Sequence, residues 1–93
     1  MTIIFEVIDK SGRKIRLTRE QWRHINQRPV VPGVDAIQEA LIHPIKITAK
    51  LNHNNVRNYF RFDAVEREFL IVVVKYLNGT GFIITAYPIR KIK

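Results

Sequence analysis

Ninety-three residues with 46% hydrophobic content suffice for one small core, so residues 1–93 are expected to form a single domain. The absence of cysteine excludes a disulfide framework and a thiolate metal site, and no stretch approaches the roughly 20 apolar residues that span a bilayer. Sixteen Lys and Arg against eight Asp and Glu leave a net charge of +8, which calls for acidic partners, nucleic acid first and an acidic protein or anionic membrane after it.

The chain opens on Ile3 to Ile8, a strand-like run with no basic segment and apolar core of a secretory leader before it, and a cytoplasmic protein with no membrane partner is expected. The turn residues Asp9-Lys10-Ser11-Gly12 then lead into Arg13 to Leu17, where Lys14 and Arg16 alternate with Ile15 and Leu17; together these read as a β-hairpin with a basic outer face. Thr18-Arg19-Glu20-Gln21 has the form of a capping box and predicts a short helix from Arg19 to about Arg28, ended by Pro29. On that helix Trp22, Ile25 and Asn26 share a side and Trp22 should pack, whereas His24 points well away from it. After a turn-rich connection from Pro29 to Gly33, Val34, Ile37 and Leu41 mark one stripe of a second helix that stops before Pro44.

Four strands follow. Ile45 to Leu51 and Val56 to Phe62 alternate cleanly around the turn residues Asn52 to Asn55; Phe69 to Val74 is continuously apolar, the pattern of a strand covered on both faces. Asn78-Gly79 signals a two-residue turn with both residues at positive φ, so the chain should return as Phe82 to Tyr87. The predicted fold class is α+β: an N-terminal β-hairpin, two short helices, then a four-stranded antiparallel sheet. Pairing Leu51 with Val56, Phe62 with Phe69 and Leu77 with Thr80 gathers Lys46, Thr48, Lys50, Arg57, Tyr59, Arg61, Thr85 and Tyr87 on one face. That face is expected to be open and cationic, with Ile45, Ile47, Phe60 and Phe62 on the core side.

A basic sheet face with an interleaved ring suits single-stranded RNA, with Lys46, Lys50, Arg57 and Tyr59 as the binding residues. Cleaving RNA without a metal or other cofactor requires a proton acceptor for the 2′-hydroxyl, a donor for the leaving oxygen and positive charge at the phosphorane. Histidine is the side-chain type whose ordinary ionisation lies nearest neutrality, which makes His24 the candidate acid or base; Arg61 would stabilise the phosphate, and Thr85 and Tyr87 would orient it or relay a proton. Other chemistries lack their parts. His24, His43 and His53 are too dispersed for a zinc signature, Gly33, Gly79 and Gly81 form no phosphate loop, and Ser11, the only serine, sits in a turn.

The order of motifs is also informative. Trp22-x-His24-Ile25 on the first helix, Ile37-x-x-Ala40-Leu41-x-x-Pro44 on the second, Tyr59-Phe60-Arg61 on a strand, the apolar strand, and the ending Thr85-Ala86-Tyr87-Pro88 resemble the small phage- and toxin-associated nucleases of the barnase–EndoU–colicin–RelE superfamily. The similarity runs from Arg13 to Arg90. It implies a two-helix, antiparallel-sheet domain acting as a metal-independent endoribonuclease, frequently a toxin neutralised by a partner antitoxin. Residue by residue, the helical His falls on His24, the strand Arg on Arg61, and the polar residues of the last strand on Thr85 and Tyr87. The alternative reading is a non-catalytic basic module that binds RNA or DNA on the same face; a basic subunit that binds only an acidic protein is a third.

Overall fold

A computed structural model of the chain describes residues 2–27, 33–64 and 67–91. Alternation at the N-terminus yields β1 (Ile3–Ile8) and β2 (Lys14–Thr18), joined by a turn in which Gly12 takes the left-handed φ of 87° that a side chain resists. Thr18 then caps α1 (Arg19–Asn26), its hydroxyl accepting from the Gln21 N–H at 3.3 Å. Ile25 is buried and Trp22 packs against the core, while His24 is exposed, as the helical spacing predicts. The expected helix end at Arg28-Pro29 and most of the connection to Gly33 lie outside the described residues, as do residues 65 and 66 of the turn expected after Asp63. The second helix, α2 (Val34–Ile42), buries Ile37, Ala40 and Leu41.

The remaining elements are β3 (Lys46–Lys50), β4 (His53–Asp63), β5 (Glu68–Leu77) and β6 (Thr80–Ile89). Asn78 and Gly79 do form the tight turn, at φ 53° and 84°, and Phe62 does pair with Phe69, their rings meeting edge to face at 5.2 Å. The sheet is larger than the sequence suggested. It has six strands in the order β1-β2-β6-β5-β4-β3, because β2 pairs in parallel with β6 through Ile15 opposite Gly81 and Arg16 opposite Phe82. The N-terminal hairpin therefore extends the sheet, which is mixed and not purely antiparallel. Gly81 makes the junction possible: a Cβ there would stand 2.6 Å from Ile15 Cδ1 and 3.0 Å from the Tyr76 ring.

Both helices lie on one side. Ile25, Ile37, Ala40 and Leu41 form one core with Ile15, Leu17, Tyr59, Leu70, Val72, Val74, Tyr76, Ile83 and Ala86. Burying such apolar surface is the dominant driving force of folding, and it selects the side on which β2, β5 and β6 are all apolar. Two slips in register decide what else lands there. Between β3 and β4, Ala49 opposes Arg57 but Lys50 opposes His53, so Thr48 faces Asn58 where the simple hairpin would have it face Tyr59. Between β5 and β6, Val73 opposes Thr85 and Val74 opposes Ile83; Ile84 is a bulge, and beyond it Ala86 faces Val72 and Tyr87 faces Ile71.

Candidate functional site

The bulges divide the expected site between the two faces of the sheet. On the helix side lie Arg57, Tyr59 and Arg61 of β4, opposite Val74, Val72 and Leu70. Tyr59 is only 1% exposed and belongs to the core, so it presents no ring for stacking. Arg61 donates from Nη1 to the His43 carbonyl at 2.6 Å, closing the C-terminal end of α2, where a cation complements the unpaired carbonyls. Arg57 donates from Nη1 to the carbonyls of Asn54 and Val56 at 2.8 and 3.0 Å, bracing the start of its own strand. His24 stands on α1, in the same layer. Thr85 and Tyr87 project from the opposite face, so the sheet separates them from Arg61 and from the helix that carries His24. The expectation that residues 57, 59, 61, 85 and 87 share a face is thereby corrected: the bulge at Ile84 moves Thr85 and Tyr87 across.

What Tyr59 does instead was not visible in the pattern. Its hydroxyl and that of Tyr76 meet each other and converge on Asp9 Oδ2, to which Tyr76 donates at 2.6 Å and Tyr59 by a shorter contact. Asp9 Oδ1 accepts from the Ser11 hydroxyl at 2.7 Å and from the N–H groups of Ser11 and Arg13, both at 2.9 Å. Burial raises the Asp9 carboxyl pKa, but these donors, led by Ser11 and the two tyrosines, outweigh it and hold the group below its ordinary 3.8. Burial first, and then the hydrogen bond to the Asp9 carboxylate, push Tyr59 up to about 12 against a smaller lowering by its contact with Tyr76, and the same causes raise Tyr76. With the Arg13 guanidinium 4.6 Å above the Tyr76 ring and Lys10 N–H bonded to the Leu41 carbonyl at 3.0 Å, the cluster ties the first turn to the sheet and to α2. A buried tyrosine hydroxyl needs a partner, and the Asp-x-Ser-Gly turn was the one signal of where that partner lay.

The open face is the better candidate surface. Its cross-strand neighbours form rows: Lys46, Phe60, Ile71 and Tyr87 in one; Thr48, Asn58, Val73 and Thr85 in the next; Val56, Lys75, Phe82 and Arg16 toward the parallel junction. Among the described residues, the strand positions on this face hold one carboxylate, Glu6, which pairs with Lys14 at 3.8 Å. A shallow cavity of about 290 Å³ opens over Asn58, Phe60 and Tyr87, with Lys91 at its rim. Of the predicted residues, Lys46, Thr85 and Tyr87 gather here, and Lys50 stands at the exposed hairpin end beside His53. Phe82 and Asn58 were not singled out in the sequence; Phe60 read as core, and its side chain is buried.

Among the described residues no three His, Cys, Asp or Glu side chains gather as a metal site, and no helix is long and apolar enough to cross a membrane. Comparison with protein-family models, with curated proteins and with solved structures returns no match.

Proposed function

We propose that this chain binds single-stranded nucleic acid, RNA foremost, on the open face of its sheet. The observation that carries the reading is the composition of that face: the half-buried rings of Phe82 and Tyr87 interleaved with Lys46, Lys75 and Arg16, in a chain of net charge +8. Bases stack on rings whatever their identity, and lysines hold the phosphates between them. Duplex binding is disfavoured because a broad, ring-bearing sheet face has no element that enters a groove. Anisotropy of a labelled single-stranded RNA titrated with the protein should show binding whose log K falls linearly with log salt, by about 0.7 per phosphate neutralised. Absence of binding at low salt would overturn the reading.

Metal-independent RNA cleavage is the second reading, favoured by the resemblance to the barnase–EndoU–colicin–RelE nucleases and by the hydroxyls of Thr85 and Tyr87 on the same face as Lys46. In this reading Tyr87 and Thr85 hold or relay protons at the phosphate and the lysines stabilise its charge, with no part for Arg61. A toxin–antitoxin pairing rests on the resemblance alone; an acidic antitoxin would meet the same lysines. Total RNA incubated with the protein in EDTA separates the two: discrete fragments lost in Tyr87→Phe support cleavage, and intact bound RNA supports binding alone.

A further inference from the structure

Within the open face one position resists a packing explanation. Asparagine is disfavoured in strand interiors, yet Asn58 sits mid-strand and half-buried, two residues from the buried Val56 and two from Phe60. Among the described residues it makes a single hydrogen bond, Nδ2 to Thr48 Oγ1, at a long 3.4 Å. An amide carries two N–H donors and an acceptor, so one N–H and Oδ1 remain to meet an incoming group. Both Asn58 and Thr48 line the cavity, which the side chains of Phe60 and Tyr87 also line and Lys91 borders.

Aromatic surface beside a paired donor and acceptor, with ammonium groups at the rim, is the recognition chemistry of a base removed from its stack: its face against a ring, its polar edge on an amide, its phosphates on lysines. At about 290 Å³ the space lies at the lower end of small-molecule sites, which run from roughly 300 Å³ upward, and suits one base better than a larger ligand. We infer that the cavity takes a single unstacked nucleobase, lying against Tyr87 and read by the Asn58–Thr48 pair, so that the face distinguishes one base from another. This rests on the reading of the open face as a single-strand surface and adds a specificity to it.

The test compares oligo(rA), oligo(rC) and oligo(rU) of equal length at one salt concentration, with wild type, Asn58→Ala and Thr48→Val, each checked for folding by circular dichroism. Wild type should bind the best of the three about 5- to 150-fold more tightly than the worst, the range expected for a good bidentate contact. Asn58→Ala should bring all three within about twofold while leaving the salt dependence unchanged, because the lysines are untouched. Thr48→Val, which removes only the partner that orients the amide, should narrow the preference in part. Equal affinity of wild type for the three oligomers would overturn the inference and leave the single-strand reading standing, as would a preference that survives in Asn58→Ala. Failure to bind any of them would overturn the reading beneath it.

Discussion

The two faces of this sheet are built from the same strands, and β5 is apolar toward both: Leu70, Val72 and Val74 toward the helices, Phe69, Ile71 and Val73 away from them. Among the described residues, four polar side chains of β4 and β5 on the helix side have internal partners. Tyr59 and Tyr76 end on Asp9, Arg61 on α2, Arg57 on its own turn. On the open side the polar groups, Lys46, Lys75, Thr48 and Asn58, sit among rings and are directed to solvent or to one another. The contrast teaches that charge alone does not locate the proposed binding surface: Arg57 and Arg61, which look most like phosphate ligands, are engaged by backbone carbonyls on the helix side, and the face proposed for ligands is the one with lysines and half-buried rings.

The comparison breaks most easily through stability. Leu41→Ala, at a fully buried site under α2, should destabilise the fold by about 2–5 kcal/mol, whereas Phe62→Ala on the open face, where the side chain is 45% exposed, should lose only about 1 kcal/mol from its contact with Phe69. Urea titration measures both; equal losses would mean that the open face is a second core.

Asp9→Ala comes next, at about 2–4 kcal/mol, since it leaves buried tyrosine hydroxyls short of an acceptor. Its pH dependence follows from the direction of each shift. Asp9 is held below its ordinary 3.8, so its contribution is whole above that value and vanishes as pH falls through the folded pKa; the gap between wild type and variant should close below about pH 4. Tyr59 and Tyr76 are shifted up, so their contribution is whole below about pH 10 and is lost as pH climbs, through about 12 for Tyr59. Thermal melts across pH check both limbs. Gly81→Ala should cost about 1–3 kcal/mol by forcing Ile15 and Tyr76 apart at the parallel junction, read in the same titration. The smallest effect is on binding: Lys75→Ala, on the open face, should reduce the salt slope for single-stranded RNA by about 0.7 and leave stability nearly unchanged.

Much of the fold was legible because it is local. The Thr18 cap, the Asn78-Gly79 turn and the Phe62–Phe69 pairing each follow from residues close in sequence, and each strand alternation marked a real strand. The parallel joining of β2 to β6 was not legible, since it brings together residues 66 positions apart through a close approach at Gly81. The site suffered most from the bulges. Period-two reasoning carries a face assignment along a strand without error until the register slips: the extra residue Ile84 moved Thr85 and Tyr87 to the other face, and the β4 residues between His53 and Arg57, unmatched between Lys50 and Ala49, shifted Ile47 and Ala49 against β4. Nor could the pattern say which face of β5 the helices would cover, because both are apolar. Tyr87, Thr85, Lys46 and Thr48 do share one face, whereas Arg57, Tyr59 and Arg61, assigned to it with them, lie on the other.

The most direct test is a side-by-side titration of one labelled single-stranded RNA with Tyr87→Ala and Arg61→Ala, both confirmed folded, at a single salt concentration. Loss of the open-face ring should weaken binding by about 5- to 150-fold, the range for a stacked base, while loss of the arginine that closes α2 should change it by no more than about threefold. The reverse order, with Arg61 essential and Tyr87 dispensable, would contradict the assignment of function to the open face.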